Sequence, residues 1–431
     1  MKIKGLMLTM VATCAISSTL MAQEDATSVK YRRSSLHTIL VESDKFPKKD
    51  VIIAAYESAP FPSKYNNHML DAKSFNPKDA KYALTEAELA EINKDQTKVA
   101  ALAESQLEPS LLEAKYLPYV IDKYLVNEKV GKDLVSKWFN RSEAGGFNMD
   151  LIKERGCFDA SAGDISAAHA SARGTSALDG AGKELIPNTF VVVNRMNFIE
   201  NEPAAKIALS GALVAAGKLK GPLVAAAQKT AQEAYERSKE GYTVFATSYL
   251  YKLNWSDSLL QVLYKQYWTN GDDAAKVAAF VASELFTVEY VGTENASSVV
   301  LPDVTGKRTE DQTITLATIK TVDAVYSKLQ KKYEVFRTKT PLYSGNPIIA
   351  QIGLKEGLEK GDKFDVLEAV MDPSTGVIDY QKKGTISVNE PIWDNNYGAD
   401  EDTPEGSKEM IGTEFKGGKK FYSGMLIRQA N

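Results

Sequence analysis

The stretch Ile392 to Asp402 holds the densest set of side chains able to do chemistry. Asp394, Asn396, Asp400 and Asp402 offer the hard oxygen ligands that calcium takes. Their spacing lacks the glycine and distal glutamate of an EF-hand loop, so a solvated acidic loop is the preferred reading and a calcium site the sharper one. Trp393 and Tyr397 in the same loop are candidate contact residues, because exposed aromatics favour interfaces. Packing beneath an adjoining β module is the preferred alternative for Trp393.

Other chemistries fail at named positions. Asp179-Gly180-Ala181-Gly182-Lys183-Glu184 carries the Gly-Lys of a phosphate loop. Ala177 stands where the first glycine belongs, and Glu184 where Ser or Thr should hold magnesium. There is no Gly-x-Gly-x-x-Gly, no Gly-x-Ser-x-Gly elbow and no His-Glu-x-x-His. His37, His68 and His169 are scattered without metal spacing, and His169 reads as an ordinary helix residue. Cys157 reads as a small residue in a packed turn in preference to a nucleophile, because a thiol nucleophile needs a base and only His37, His68 and His169 could serve. Carboxylates stay open as a class: 56 Asp and Glu could supply a glycosidase-like pair through folding alone. No catalytic residue, cofactor or firm metal set is therefore assigned.

The first 22 residues read as an export signal. Lys2 and Lys4 precede the apolar run Leu6 to Ile16, with a small residue, Ala22, at the exit. The run is shorter than the about 20 residues that span a bilayer. Lipidation at Cys14, after Val11-Ala12-Thr13, is the disfavoured alternative, since Thr suits that position poorly. Cleavage after Ala22 leaves 431 − 22 = 409 residues, enough for two or three domains, with Cys157 alone and so no internal disulfide. The expected location is the periplasm or the outer membrane surface, or outside the cell. A net charge of −4 without a basic cluster argues against nucleic acid. No transmembrane helix is expected after Ala22, which leaves peripheral membrane association open.

The elements that must carry these residues read as α+β and multidomain. An irregular and helical N-terminal region is expected over 23–140, with a strand-like Val51 to Ala55 and helices over Thr85 to Glu104 and Val120 to Phe139. A central α/β domain over 141–341 opens with a strand at Phe147 to Ile152, then short helices at Asp164 to Ala172 and Leu178 to Leu185. Strong β-branched strands follow at Asn188 to Phe198 and Tyr242 to Leu253. Between these two lies an Ala-, Gly- and Lys-rich insert, 203–241, read as a helical hairpin broken at Gly221-Pro222. Its uncharged run, Ile207 to Gly217, is half a membrane span; a hairpin in water is preferred, and insertion into a membrane or an assembly is the alternative. A strand from Thr287, a helix Thr313 to Tyr333, a strand Glu334 to Lys339 and a linker Pro341 to Asn346 complete the domain. The last region, 342–431, reads as a small β-barrel-like or β-sandwich module. Its marks are Gly361-Asp362-Lys363-Phe364-Asp365-Val366, an Asp372-Pro373 turn, a break at Gly384 and a final strand, Phe421 to Arg428.

That Gly-Asp-x-aromatic-x-Val stretch, followed by small hairpins, resembles the C-terminal β module of flagellar assembly protein T. Residues 120–255 are similar in element order to the middle domains of curli-secretion-channel and flagellar-assembly proteins. The whole chain resembles exported proteins of uncharacterised role in Bacteroides-like bacteria. The insert 203–241 departs from the simple β–β succession of the assembly proteins. The resemblance implies assembly or scaffolding and transfers no catalytic residue. The expected function is a non-enzymatic structural, assembly or interaction role in the cell envelope, with another envelope protein or a second copy as partner. The rival is a carboxylate-dependent hydrolase of an envelope or extracellular glycan.

Overall fold

The computed structural model describes residues 32–94, 111–158, 184–300, 308–371, 378–395, 410–418 and 420–430. The fold is α+β: a mixed sheet with helices on both faces, and a separate closed barrel.

Strand β1, Ser35–Val41, has all seven residues buried. Successive side chains point to opposite faces. Leu36 and Leu40 therefore enter one core, and Ile39 and Val41 the other. Helix α1, Lys49–Ser58, contains the stretch Val51 to Ala55 expected as a strand. It buries Ile52, Ala55 and Tyr56, the i, i+3, i+4 spacing of a helix face. The short strands β2, Asn66–Asn67, and β3, Ser74–Phe75, pair parallel with one edge of β1.

Helix α2, Glu86–Lys94, starts at the expected capping box: Glu88 N–H donates to Thr85 Oγ1 at 3.3 Å, and Thr85 N–H to Glu88 Oε2 at 2.6 Å. Residues 95–104 of that expected helix lie outside the described residues. The single helix expected over Val120 to Phe139 is two, α3, Leu111–Asn127, and α4, Val130–Trp138. Lys129 breaks them apart by taking left-handed backbone angles (φ 53°). The strand expected at Phe147 to Ile152 is absent; α5, Asp150–Phe158, begins there instead. Asn148 Oδ1 accepts the Asp150 N–H at 3.0 Å, an Asx turn that launches a helix where alternation suggested a strand. The helix expected at Asp164 to Ala172, with His169, lies outside the described residues, as does most of Leu178 to Leu185.

Strand β4, Thr189–Glu200, pairs parallel with β1 from Ser35↔Thr189 to Val41↔Arg195. The segment expected to belong to a separate N-terminal region thus supplies an inner strand of the central sheet. All seven of its residues are buried although Ser35, His37 and Thr38 are polar, so an alternation test misses it. Helices α6, Glu202–Ala216, and α7, Pro222–Ser238, form the expected hairpin, with Pro222 at its first helical position. Strand β5, Tyr242–Leu253, returns antiparallel along β4. Helices α8, Asp257–Val262, and α9, Ala274–Ala282, then cover the aromatic core around Phe147, Phe280 and Phe286. Strand β6, Val288–Val300, gives the path β2-β1-β4-β5-β6.

Helix α10, Glu310–Lys332, lies on the other face and buries Ile314, Ala317, Val325 and Leu329. It starts before the expected Thr313, at a capping box of Thr309 and Gln312. Glu334–Phe336 forms a single 3₁₀ turn and not a strand. Phe336 drops into the core there, stacked 5.0 Å from Tyr65.

The expected linker Pro341 to Asn346 is mostly β7, Thr340–Gly345, the first strand of the barrel. Pro341 is tolerated because it sits at the start of the strand. The others are β8, Ile348–Ala350, β9, Lys363–Met371, β10, Ile378–Val388, β11, Thr413–Lys416, and β12, Leu426–Gln429. They close in the order β10-β11-β8-β7-β12-β9. The expected break at Gly384 is a bulge within one continuous β10. Of Phe421 to Arg428 only the end is strand, paired on both sides, with β7 and β9.

A Cβ at Gly345 would lie 2.0 Å from the Phe421 carbonyl oxygen, inside this closure. Gly345→Ala is expected to cost about 2–3 kcal/mol, read as a lower urea midpoint. Gly211→Ala, where a Cβ meets nothing within 4 Å, should leave the midpoint unchanged or raised. Equal midpoints for Gly345→Ala and wild type would contradict the close approach at this corner.

Candidate interaction surface

The hairpin α6–α7 is built from residues that form helices but bury almost nothing. Ala205 and Ala216 are the buried residues of α6, and α7 has none. At about 1.5 Å per residue the two helices run roughly 22 and 25 Å out from the sheet. Ile207, Val214 and Leu223 are 76%, 66% and 62% exposed, and Leu213 and Leu219 are exposed as well. Residues 203–232 contain four lysines, Lys206, Lys218, Lys220 and Lys229, and no acidic residue. The acids gather at the root: Glu202 pairs with Lys206 at 2.9 Å and Glu236 with Lys239 at 2.6 Å. The root itself is fastened. Asn201 N–H donates to the Gly241 carbonyl at 3.2 Å, its side-chain amide to the Glu240 carbonyl at 3.2 Å, and Thr243 Oγ1 donates to Asn201 Oδ1 at 2.7 Å.

At the same end of the sheet, Ile199, Thr243 and Val299 stand in register across β4, β5 and β6. Phe245 follows on the same face of β5. Their neighbours Phe198, Tyr242, Val244 and Val300 point the other way, into the α10 core. Ile199, Phe245 and Val299 are exposed, so apolar surface continues from the hairpin onto the sheet.

Both described histidines are buried, and they differ in how they are held; His37 Nε2 has no hydrogen-bond partner among the described residues. His68 Nε2 lies 3.0 Å from the Leu134 carbonyl and Nδ1 2.9 Å from an Arg155 N–H, which makes it a neutral ring protonated at Nε2. It stacks on Trp138 at 4.6 Å. Burial first, then the Arg155 charge, hold its pKa well below the ordinary value. His37 is pushed down to about 3, chiefly by burial, with Lys137 adding to it.

Asp323 is the exception among the carboxyls. It sits on α10 facing the barrel, 3.9 Å from Lys355 Nζ, with both side chains almost covered. Burial raises its pKa to about 7; Lys355 opposes the rise and Glu356 adds to it. Nothing in the sequence around Asp323 set it apart, because its environment comes from a segment over thirty residues away. Glu356 is committed elsewhere: its Oε2 accepts the Gly353 N–H at 2.7 Å and the Asn395 amide at 2.8 Å.

The loop after Trp268 lines a shallow open hollow of about 600 Å³. Its polar groups also serve the loop itself. Thr269 Oγ1 donates to Asp272 at 2.7 Å, Asp273 caps α9, and Lys276 Nζ donates to the Trp268 carbonyl at 3.1 Å.

Of the loop singled out in the sequence, Trp393 and Asp394 are half-buried. Trp393 is pinned through its backbone, which receives Leu354 N–H at 3.0 Å and donates to Thr413 Oγ1 at 3.1 Å. Asn396, Tyr397, Asp400 and Asp402 lie outside the described residues, as do Cys14 and the whole segment 1–22. Among the described residues no three His, Cys, Asp or Glu are grouped to hold a metal ion. Glu184, from the failed phosphate loop, instead receives Lys339 at 3.1 Å and the Tyr380 hydroxyl at 2.8 Å. Among the described residues no helix is long and apolar enough to cross a membrane.

The chain matches no protein-family model and no curated protein.

The raised pKa of Asp323 has a defined sign. The ordinary value is 3.8, so between there and about 7 the folded chain keeps a proton that the unfolded chain releases. The stabilising contribution is complete below pH 3.8 and is lost as pH rises through about 7. Asp323→Asn should therefore gain stability relative to wild type by about 1–3 kcal/mol between mildly acidic and mildly alkaline buffer. Urea midpoints at the two pH values measure it; a constant difference between the two chains would count against the burial of this carboxyl.

Proposed function

We propose that this chain is an exported cell-envelope protein with a non-enzymatic structural, assembly or interaction role, and that the α6–α7 hairpin is its contact element. The carrying observation is the hairpin itself: four large aliphatic side chains on its helices and Leu219 in its turn are left in solvent, on an element that buries almost nothing. Exposed apolar surface of this kind marks interaction sites. The export signal read in residues 1–22 and the resemblance to assembly proteins point the same way.

One observation favours the hydrolase reading, the near-neutral pKa of Asp323, which suits a general acid. It is outweighed by the partner: Glu356, the acid beside it, already holds two hydrogen bonds that shape the Gly353 turn. Both bonds fall on Oε2 and tie the carboxylate to that turn.

The hairpin is separable, because Asn201 and Gly241 already meet at its neck. Replacing residues 202–240 by a short Gly-Ser turn should change the melting temperature by only a few degrees. The full chain should sediment with envelope membranes of the producing cell and be released by carbonate, while the shortened chain should stay soluble. Soluble behaviour of both would end this reading. Release of reducing ends from envelope glycan by purified protein, lost in Asp323→Asn, would establish the rival.

A further inference from the structure

Resting on that interaction role, we propose that the occupant of the hairpin is an anionic lipid bilayer. The tip enters the boundary between headgroups and acyl chains, with Val214, Leu219 and Leu223 buried there. Lys218 and Lys220 take the lipid phosphates.

Charge is the first support. Residues 203–232 carry four positive charges and no negative one, on a chain whose net charge is −4. Among the described residues, Lys218 and Lys220 at the turn form no ion pair, whereas Lys206 and Lys239 near the root do. Two copies of this chain meeting tip to tip would set Lys218 and Lys220 of one against the same pair of the other, with no acid between them. A surface of phosphates supplies the missing sign.

Residue type is the second. Residues 203–232 contain no Trp, Tyr, Phe or Arg. Protein interfaces draw their binding energy from those residues and are depleted in lysine. Aliphatic side chains beside lysines suit a bilayer boundary, where the lysine stem lies in the apolar layer and the ammonium reaches the headgroups.

Geometry is the third. The turn Gly217 to Pro222 is exposed throughout, with Leu219 45% exposed between Lys218 and Lys220. Interfacial helices insert about 5–10 Å. That depth accommodates the turn and the first helical turn on each side, and leaves the acids at the root in water. No span of the bilayer is required.

The test is flotation of the purified full chain with vesicles of mixed phosphatidylglycerol and phosphatidylcholine, against vesicles of phosphatidylcholine alone. Wild type should float with the anionic vesicles only and be released by added salt. Lys218→Glu/Lys220→Glu should weaken binding about tenfold or more. Leu219→Asp/Leu223→Asp should abolish it, with the melting temperature of both variants unchanged. Absence of flotation, equal flotation on neutral vesicles, or indifference to the variants would overturn the proposal. A lipid-free oligomer that Leu219→Asp/Leu223→Asp converts to monomer would also overturn it, in favour of a second copy. If vesicles fail while the hairpin-deleted chain still leaves the envelope fraction, the lipid proposal falls and the interaction role stands with another partner. If neither chain associates with the envelope, both fall.

Discussion

Strand β1 is covered on both faces, and much of the molecule follows from what that demands. Its partner β4 runs parallel to it, so the intervening chain must cross over the sheet, and helices fill that path. Every polar group the strands carry inward must then find a partner inside the protein. Asn194 donates to the Tyr56 hydroxyl at 2.7 Å and accepts from Ser248. His37 receives the Leu70 N–H at 3.3 Å. Trp138 Nε1 donates to Thr189 at 2.8 Å. These bonds hold the groups in place, while burial takes the imidazole of His37 and the phenol of Tyr56 out of acid–base range; His37 Nε2 is left without a hydrogen-bond partner among the described residues. Burial pushes Tyr56 up to about 12 for the same reason that it pushes His37 down.

Local signals in the sequence were reliable where the chain decides its own conformation. The Thr85 capping box, the Gly221-Pro222 corner and the β-branched runs of β4 and β5 appear as expected. Reading failed where tertiary context decides. Ser35–Val41 carries no clean alternation because both its faces are buried, polar Ser35, His37 and Thr38 included. Val51 to Ala55 is β-branched in part, yet its buried positions recur at helical spacing. Thr340–Gly345 has a linker's composition and becomes a strand because β8 and β12 flank it. The hairpin was legible as helices and as unusual in composition. Its lack of a cover was not, since exposure is a property of what fails to pack there. Asp323 was illegible for the complementary reason: its character is set by burial in the folded chain, beside Lys355 and Glu356 across the seam.

Sheet and barrel are coupled through α10. Ser327 Oγ donates to the Glu356 carbonyl at 3.0 Å, and Gly357 beneath it leaves no room for a Cβ, which would sit 2.0 Å from that hydroxyl oxygen. Lys331 reaches Glu359 at 3.1 Å from the barrel side, and Lys64 donates to the Gln351 carbonyl at 2.9 Å. Glu184, held by Lys339 and Tyr380, adds a further tie. Individually such surface pairs contribute little. Their placement around one helix sets how the two cores share it.

The position of β12 bears on how the chain is made. Residues Leu426–Gln429 lie between β7 and β9, eighty residues from one and sixty from the other, and theirs are the last pairings in the chain that close the barrel. During synthesis the other five strands wait with two open edges until this segment arrives. A ribosome that stops short of it releases a chain whose β7 and β9 offer free backbone donors and acceptors, the template on which strands of other molecules add. Docking of β12 and removal of these adhesive edges are thus one event, and a chain cut before Leu426 is marked as defective by the surface it cannot hide.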